Sequence, residues 1–459
     1  MRASWLIAVA ALVLASCSSG SSDPFVGFGP NPPLPKPHKS LLPTVDVPDV
    51  VGWPPGVAPK APPGFTVTRY AEGLDHPRWL LVLPNGDVLA ALSASEPSKA
   101  DKSNKGIKGF FQKMLMKKVG SSRPSPNRIV LMRDADGDGL AETKTDFATG
   151  LKQPFGMALV GGLLYVANSD GVVAFPYQPG ATAVPGAGTK VFDLPGPPIN
   201  HHWTKNVVAS PDGTKLYATV GSNSNIGENG MENEQGRAAI WEHDLQTAKT
   251  RIFASGIRNP NGIDFEPATG VMWTVSNERD EIGDDLPPDY LTSVKDGGFY
   301  GWPYSYWGQN VDARVKPQNP ALVASALKPD YGLGPHTAAL GLTFYRADAF
   351  PASYRGGAFI GQHGSWNRRP LNGYRVVFVP FAGGRPQMPA QAFLTGFLNA
   401  DNKIQGRPVG VAVDSRGALL VADDVGGIVW RVASTANAPV TAATEGAPRP
   451  VPSPAATRP

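Results

Sequence analysis

Short apolar runs alternate with polar turns along most of this chain, and the runs come in pairs. Each pair holds a strand-like segment with alternating apolar residues, a turn rich in Pro, Asp or Gly, and a second strand-like segment. This pattern is typical of a β-hairpin. Six such pairs begin at Pro77, Pro154, Lys205, Pro260, Ala339 and Pro408. The chain is therefore predicted to repeat one hairpin unit.

The spacing of these pairs predicts the architecture. Consecutive pairs begin between 51 and 79 residues apart, and a period near ~50 residues with insertions is typical of a β-propeller whose blades are four-stranded sheets. Six pairs predict an all-β, six-bladed propeller. The strand-like run 65–70 precedes the first pair, and we expect it to pair with the last blade and close the ring. A β-sandwich array is the alternative fold.

Composition agrees with many short strands. The 459 residues include 52 Gly and 47 Pro, which argues against long helical bundles because both residues interrupt helices. A hydrophobic fraction of 41% is enough for a sizeable core. The charge of +4, from 42 basic and 38 acidic residues, is too balanced to indicate nucleic-acid binding.

The N-terminus indicates export. Arg2 precedes an apolar run over residues 5–14, and Leu-Ala-Ser-Cys ends at Cys17, the one cysteine of the chain. This predicts a signal peptide over 1–16 and resembles a bacterial lipobox, in which the cysteine is lipidated. We therefore expect a lipoprotein of the cell envelope, on the periplasmic side or outer surface of a membrane. An ordinary signal peptide with an incidental cysteine is the alternative.

The regions beside the repeats differ in composition. Residues 17–63 are Pro-rich and predict a disordered, lipid-anchored tether, and residues 437–459 predict a disordered tail. The propeller should span 64–436, with a basic insertion over 93–127. Within this insertion, apolar residues at helical spacing over 107–115 predict a short amphipathic helix. It would pack on the propeller as a lid or touch an anionic membrane.

Several residues that can carry chemistry stand where blades begin. His202 lies just before the third pair, where an imidazole can act as a general base. Arg78, Arg258 and Arg407 occupy matching positions at the first, fourth and sixth pairs. Guanidinium groups bind carboxylates in a bidentate manner, so this register predicts an anionic ligand. Solvated loop residues are the alternative.

Further candidates surround the fifth pair and two acidic loops. His336 precedes the fifth pair, and His363 and Arg368 follow its second strand. Asp134, Asp136, Asp138 and Glu142 match the start of a calcium loop, although position 12 is Thr145 rather than Glu. A solvated acidic turn is the alternative there. The stretch 277–285 is a second acidic loop.

The motifs together resemble a known family. The segment Gly-Ile-Arg-Asn-Pro-Asn-Gly over 256–262, the spacing from His202 to Ser-Pro-Asp-Gly over 210–213, the stretch 297–303 and Gly-Arg at 406–407 are its most specific pieces. They resemble the soluble glucose/sorbosone dehydrogenases that depend on pyrroloquinoline quinone (PQQ). The resemblance covers about residues 65–432 and implies a six-bladed propeller that carries PQQ and Ca²⁺.

The resemblance also implies residue roles. His202 resembles the base that takes a proton from a sugar hydroxyl while hydride passes to the quinone. Arg258, supported by Asn259, resembles the residue that contacts the quinone oxygens, and Arg407 resembles an arginine that faces the cofactor. Calcium would be bound by backbone carbonyls near Arg279 and Asp280.

Three departures indicate the sorbosone-dehydrogenase-like branch. Arg279 and Asp280 stand where the family has Gly-Pro, Ser222 stands where it has Asp, and its cofactor-binding Lys has no match, so that His363 or Arg368 would replace it. The expected partners are a sugar or aldehyde substrate, a quinone or cytochrome electron acceptor and, through the anchor, a membrane. A lactonase-type propeller hydrolase and a non-catalytic propeller that binds glycans or envelope proteins are the alternatives.

Overall fold

The computed structural model describes residues 20–38, 44–96 and 124–437, and strands dominate this part of the chain. Two strands, β1 (Phe28–Gly29) and β2 (Phe65–Glu72), precede the first blade. Blade 1 holds β3 (Pro77–Val82), β4 (Val88–Leu92), β5 (Arg128–Arg133) and β6 (Thr143–Ala148), and blade 2 holds β7 (Met157–Val160), β8 (Leu163–Asn168), β9 (Gly171–Pro176) and β10 (Thr189–Asp193).

The other blades follow the same antiparallel order. Blade 3 holds β11 (Val207–Ala209), β12 (Lys215–Val220), β13 (Ala239–Asp244) and β14 (Thr250–Ser255). Blade 4 holds β15 (Pro260–Phe265), β16 (Met272–Ser276), β17 (Pro288–Ser293) and β20 (Tyr331–Pro335). Blade 5 holds β21 (Ala339–Phe344), β22 (Ala358–Gln362), β23 (Arg375–Val379) and β26 (Gln391–Leu394). Blade 6 holds β27 (Pro408–Val413), β28 (Leu419–Asp423) and β29 (Ile428–Ser434).

Small elements decorate the blades. Two-stranded ribbons form from β18 (Ser305–Tyr306) with β19 (Asn310–Val311) and from β24 (Phe381–Ala382) with β25 (Arg385–Pro386). Helix α1 (Pro320–Ser325) is capped by the Asn319 side chain, which accepts a hydrogen bond from the backbone N–H of Leu322. Short 3-10 turns occur at Met231–Glu234, Ala352–Tyr354 and Thr435–Asn437. No helix in the described ranges is long and apolar enough to cross a membrane.

The six-bladed propeller predicted from the repeats is confirmed. Each of the six sequence pairs forms the first two strands of a blade, and the first strands pack against one another in a closed ring. Strand β2 completes blade 6 by pairing with β29, as expected for the run 65–70. The innermost strands approach closely at glycines: a Cβ at Gly341 would lie 2.2 Å from the carbonyl oxygen of Val409.

Strand direction gives the propeller two distinct faces. The loops before each innermost strand and the loops between the second and third strands share one face, which we call the site face. The hairpins that join the first to the second strand and the third to the fourth lie on the opposite face. Buried clusters of apolar side chains fill the space between neighbouring blades and fix their orientation.

The N-terminal segment packs on the propeller. Strand β1 adds a fifth strand to blade 4 by pairing with β20. The indole N–H of Trp53 donates to the buried carboxyl group of Asp423 over 2.7 Å, and its ring contacts Phe397 and Trp430 edge-on. These contacts correct the prediction of a free tether for residues 20–38 and 44–63, because aromatic side chains within the Pro-rich stretch supply anchors.

Other predicted regions lie outside the described residues. These are the signal peptide over 1–16, the lipidated Cys17, the helix within the insertion 93–127 and nearly all of the tail from 437. They stay predictions.

Replacing Trp53 tests the docking of the N-terminal segment. Trp53→Ala should lower the free energy of unfolding by about 2–4 kcal/mol, because an aromatic contact and a hydrogen bond to Asp423 are lost. Thermal and urea unfolding of the full chain measure the change. Trp366→Ala is the matched control, since that side chain is 37% exposed, and equal losses in both variants would contradict the docking.

Candidate active site

His202 lies before β11 on the site face and is held in one tautomer. Its Nδ1 lies 2.9 Å from the carbonyl oxygen of Ser222 and 3.0 Å from the hydroxyl oxygen of that residue. A carbonyl oxygen can only accept, and the Ser222 hydroxyl already donates to the carbonyl oxygen of Ser224. Nδ1 therefore carries the proton and Nε2 keeps its lone pair.

The surroundings of His202 favour its neutral form. Burial lowers its pKa well below the usual value, and the positive charge of Arg258 lowers it further. Ser222, which replaces the carboxylate implied by the resemblance, orients the ring without adding a negative charge. The imidazole is thus ready to accept a proton at Nε2 around neutral pH.

Arg258 lies before β15 and is fully engaged by the protein. Its Nη1–H group donates to the carbonyl oxygen of Glu278 over 2.7 Å, and Nη2 pairs with the Asp280 carboxylate at 3.0 Å. Further bonds run to Asn225 and Asn277. The residue is only 3% exposed. Every N–H of Arg258 has a protein acceptor, and its contact with quinone oxygens stays a prediction.

Asp280 is the centre of a network that joins blades 4 and 5. The Asn367 amide donates to its carboxylate over 2.7 Å, and Nδ1 of His336 lies 3.6 Å from it. Although burial opposes ionisation, Arg258 and these neighbours hold the pKa of Asp280 well below its usual range. His336 is buried and its Nε2–H group donates to the carbonyl oxygen of Gly283. Its ring therefore lies beside Asp280, and its role in cofactor binding stays a prediction.

A second network joins blades 1, 5 and 6 around Asp424. Its carboxylate forms an ion pair with Arg78 and accepts a hydrogen bond of 2.9 Å from Nε2 of His363. Arg407 donates to the carbonyl oxygens of His363 and Gly364 over 2.9 and 2.7 Å. Burial and the charge of Arg407 lower the pKa of His363 to about 4. The network therefore carries two guanidinium groups and one carboxylate.

Arg78 retains capacity for an anion. Its Nε atom is buried without a hydrogen-bond partner, and its guanidinium carbon lies 5.8 Å and 5.6 Å from the ring centroids of Phe155 and Trp203. A buried N–H without an acceptor is unfavourable, so a carboxylate of a bound ligand would satisfy it. This orphaned donor fits the expectation of an anionic cofactor.

The two networks are connected through the backbone. The N–H of His363 donates to the carbonyl oxygen of Ala338, and that of Gly364 to Thr337, both over 2.9 Å. Thr337 follows His336, which contacts Asp280. The loops of blades 4, 5 and 6 thus form one hydrogen-bonded layer on the site face.

Two other predicted ligands of the cofactor have different surroundings. Arg368 is buried and binds Asp285 and the backbone of Ser21, Asp284 and Pro370, so it holds the N-terminal segment, and its role as a cofactor ligand stays a prediction. The side-chain amide of Asn259 donates to the Asn277 side chain, and the side-chain oxygen Oδ1 of Asn259 is buried without a partner.

The predicted metal ligands fall on different faces. Asp134, Asp136, Asp138 and Glu142 lie between β5 and β6 on the opposite face, with carboxylate oxygens within 4.8 Å of one another. Several of these oxygens accept backbone N–H bonds of their own turn, as the solvated-turn alternative also requires. A calcium ion there stays a prediction. Arg279 and Asp280 belong to the site face, where guanidinium groups surround them.

Asp424 is the residue that the sequence analysis missed. It follows β28 in Ala-Asp-Asp, next to Asp423, whose buried carboxyl group binds Trp53 and the backbone N–H of Arg407. The doubled aspartate after a buried strand is its one signal. Sequence alone does not distinguish which of the two faces the arginines, because that depends on where the strand ends.

Comparisons with known proteins bear on this site. Residues 190–367 match the family model described as Glucose / Sorbosone dehydrogenase, which spans His202, Arg258, Asp280, His336 and His363. This segment is similar to the glucose/sorbosone dehydrogenases. Residues 311–435 also match a model described as TrAA12-like. The resemblance predicted from the motifs is confirmed.

Individual relatives match part of the chain. An uncharacterized protein of Borreliella burgdorferi is 32% identical over 237 residues, or 50% of this chain and 60% of the relative. A pyrroloquinoline quinone-dependent pyranose dehydrogenase of Coprinopsis cinerea is 27% identical over 292 residues, or 50% of this chain and 39% of the relative. The chain therefore spans less than two thirds of the length of these relatives.

Solved structures support the fold. The PQQ domain of the Coprinopsis cinerea pyranose dehydrogenase, in its holo form, superposes with a TM-score of 0.64 at 21% identity and covers 85% of this chain and 100% of that domain. A Trichoderma reesei enzyme of carbohydrate-active family AA12 gives 0.65 at 20% identity, over 82% of this chain and 98% of that one.

Changing Ser222 tests the tautomer of His202. Ser222→Asp should raise the pKa of His202, because a carboxylate beside Nδ1–H stabilises the imidazolium. Titration of the His202 ring protons by NMR measures it. Ser222→Ala is the control and should change the pKa little, since the backbone carbonyl of residue 222 still accepts from Nδ1. An unchanged pKa in Ser222→Asp would contradict the geometry.

Neutralising Asp424 tests the second network. Asp424→Asn should reduce the free energy of unfolding by about 3–5 kcal/mol at pH 7, because Arg78 loses its buried partner. Burial opposes ionisation, but His363 and Arg78 hold the pKa of Asp424 well below its usual range, so the difference should shrink as pH falls below about 4.

The control for Asp424→Asn is a surface pair. Glu72→Gln removes the carboxylate that faces Arg69, where the two side chains are 60% and 31% exposed, and should cost less than about 1 kcal/mol. Urea unfolding at pH 7 and pH 3.5 compares both variants. A loss for Asp424→Asn no larger than for Glu72→Gln would show that the network contributes no stability.

Proposed function

We propose that this protein is a PQQ-dependent oxidoreductase that oxidises a sugar or a related alcohol or aldehyde, of the sorbosone or aldose type. The observation that carries the proposal is a neutral imidazole with a free Nε2 lone pair on the same propeller face as an unpartnered, buried arginine N–H. The family match over residues 190–367 and the pyranose dehydrogenase relative support it.

His202 is the proposed base. Its Nδ1–H is held by Ser222, so Nε2 faces away from that bond and can receive the proton of a substrate hydroxyl. When the hydroxyl loses its proton to Nε2, electron density at the oxygen favours departure of hydride from the attached carbon. Burial, and then the positive charge of nearby Arg258, keep the free base neutral before this step.

Arg78 and Arg407 are the proposed anion ligands. Arg78 offers the unpartnered Nε–H, and Arg407 lies 5.5 Å over the ring of Tyr374. PQQ, when bound, supplies carboxylates for these groups and a quinone that accepts two electrons and a hydrogen. Within the protein, Asp424 keeps Arg78 in position, and the carbonyl oxygens of 363–364 orient Arg407.

The remaining parts of the proposal concern the surroundings of the enzyme. Electrons would pass to a quinone or cytochrome acceptor, and Cys17 would anchor the protein in the cell envelope. Calcium is included as an expected ion: a Trichoderma reesei AA12 neighbour is described as a calcium structure, and the loop from Asp134 to Glu142 offers oxygen ligands.

The two alternatives are less well supported. A lactonase-type hydrolase needs several carboxylate or amide side chains that converge on a metal. Within the ranges 20–38, 44–96 and 124–437, the one group of three or more metal-ligating side chains lies on the opposite face. A non-catalytic propeller has no use for a histidine held as a neutral base beside a buried, unpartnered arginine N–H.

Reconstitution tests the proposed function. The full chain, mixed with PQQ and Ca²⁺, should reduce a redox dye with aldoses or aldehydes, and His202→Ala should lower kcat by about 10²–10⁴-fold because the base is lost. PQQ binding, followed by absorbance, should persist in the variant. Because the pKa of His202 is lowered, wild-type activity should fall only at pH values well below about 6.5.

His201→Ala is the matched control, since its ring lies 4.8 Å from that of His202, and it should retain most of the activity. Absence of dye reduction over a broad panel, together with absence of PQQ binding, would reject the proposal. Equal loss of activity in both histidine variants would remove the assignment of the base.

A further inference from the structure

The backbone carbonyls near Arg279 and Asp280, to which the resemblance assigns calcium, already have cationic partners, and so does the neighbouring carbonyl of Asn225. Arg258 donates through Nη1 to the carbonyl oxygens of Glu278 and Asn277 over 2.7 and 3.4 Å. Through Nε it donates to the carbonyl oxygen of Asn225 over 3.3 Å. We call these three oxygens, together with that of Asp280, the carbonyl cradle.

The fourth oxygen of the carbonyl cradle is engaged in the same way. The carbonyl oxygen of Asp280 accepts from Nη2 of Arg279 and from Nη2 of Arg314, both over 3.1 Å. Arg279 is only 2% exposed and forms an ion pair with buried Asp312. Each of the four oxygens that a divalent cation would need in this cradle therefore already accepts a hydrogen bond from a guanidinium group.

These guanidinium groups are held in place by their counter-charges. Arg258 pairs with Asp280 at 3.0 Å, and Arg314 lies 3.4 Å from Glu281. Calcium binds through six to eight oxygens at about 2.3–2.6 Å. The carbonyl oxygens of the cradle instead accept hydrogen bonds from arginine N–H groups. A cation in the cradle would also be repelled by fixed positive charges at short range, and displaced arginines would leave buried ions unpaired.

The residue types at 279–280 explain this arrangement. Arg279 and Asp280 stand where the resemblance implies Gly-Pro, so this chain adds a guanidinium group and a carboxylate to the loop. The cation and its counter-ion are thus both supplied by side chains. The residues present do not fit a calcium ion in the carbonyl cradle.

We infer that the guanidinium groups of Arg258, Arg279 and Arg314 replace a divalent cation in the carbonyl cradle, so that this site binds its quinone cofactor without calcium. The inference rests on the proposed function for the identity of the cofactor. Carboxylates of the ligand then depend on Arg78 and Arg407 rather than on a metal. Calcium, where it binds, is confined to the loop from Asp134 to Glu142 on the opposite face.

PQQ binding to metal-stripped protein tests this inference. The full chain is treated with EGTA, and PQQ binding is then titrated by absorbance in two buffers. One buffer contains EGTA and the other contains about 1 mM Ca²⁺, which is at or above the dissociation constant of extracellular calcium sites. We expect dissociation constants within about twofold of each other. A dissociation constant at least tenfold weaker in EGTA, which persists in Asp136→Asn, would overturn the inference.

The variant Asp136→Asn separates the two faces. It removes a carboxylate from the opposite-face loop without touching the carbonyl cradle. If calcium dependence of PQQ binding disappears in this variant, the dependence arises in that loop and the inference stands. Failure to bind PQQ in either buffer would reject the proposed function, and with it the cofactor part of the inference.

Calcium binding to the protein without PQQ tests whether the carbonyl cradle excludes calcium. Equilibrium dialysis with Ca²⁺ should find at most one ion per chain, and none in Asp136→Asn. An ion that remains in Asp136→Asn and is lost in the double variant with Asp280→Asn would place calcium at the cradle and overturn the inference, whatever PQQ does. Far-ultraviolet circular dichroism verifies that each variant is folded.

Discussion

Pairing between β2 and β29 closes the ring, and the site depends on that closure. Residues 65–72 come from the start of the propeller and 428–434 from its end. Arg78 follows the first of these strands by a few residues, and Asp424 precedes the second. Their ion pair therefore joins the two ends of the ring on the site face, and opening the ring would separate the anion-binding arginine from the carboxylate that orients it.

The charged side chains on the site face are almost all paired. This pairing separates the arginines that position other groups from those that can bind an anion. Arg258 stabilises the Asp280 carboxylate and adds to the effect of burial in keeping His202 neutral, but has no N–H left for a ligand. Arg78 has an ion pair and one free donor. A buried guanidinium group needs a counter-charge, so most arginines of the site position other groups, and few are left to meet an anion.

The candidate site could be predicted in part. The position of the candidate residues within their blades could be predicted, because the sequence pairs mark the start of each innermost strand. His202, Arg78 and Arg407 lie on the expected face. The hydrogen-bond and ion-pair partners of these side chains could not be predicted. Arg258 meets the loops 225 and 277–280, Arg368 meets Ser21, and Asp424 meets Arg78 across 346 positions of the chain. Local sequence carries no information on contacts of that range.

The six-bladed propeller was predictable from the sequence, because hairpin periodicity and turn residues are local properties that repeat in every blade. Short motifs at blade starts also showed the resemblance to the glucose/sorbosone dehydrogenases. Which arginines keep a free donor, where the N-terminal segment docks and what fills the carbonyl cradle became evident only in the folded protein. Those outcomes depend on burial and on the number of donors and acceptors at each site. Both are fixed only when loops that are distant in sequence pack against one another.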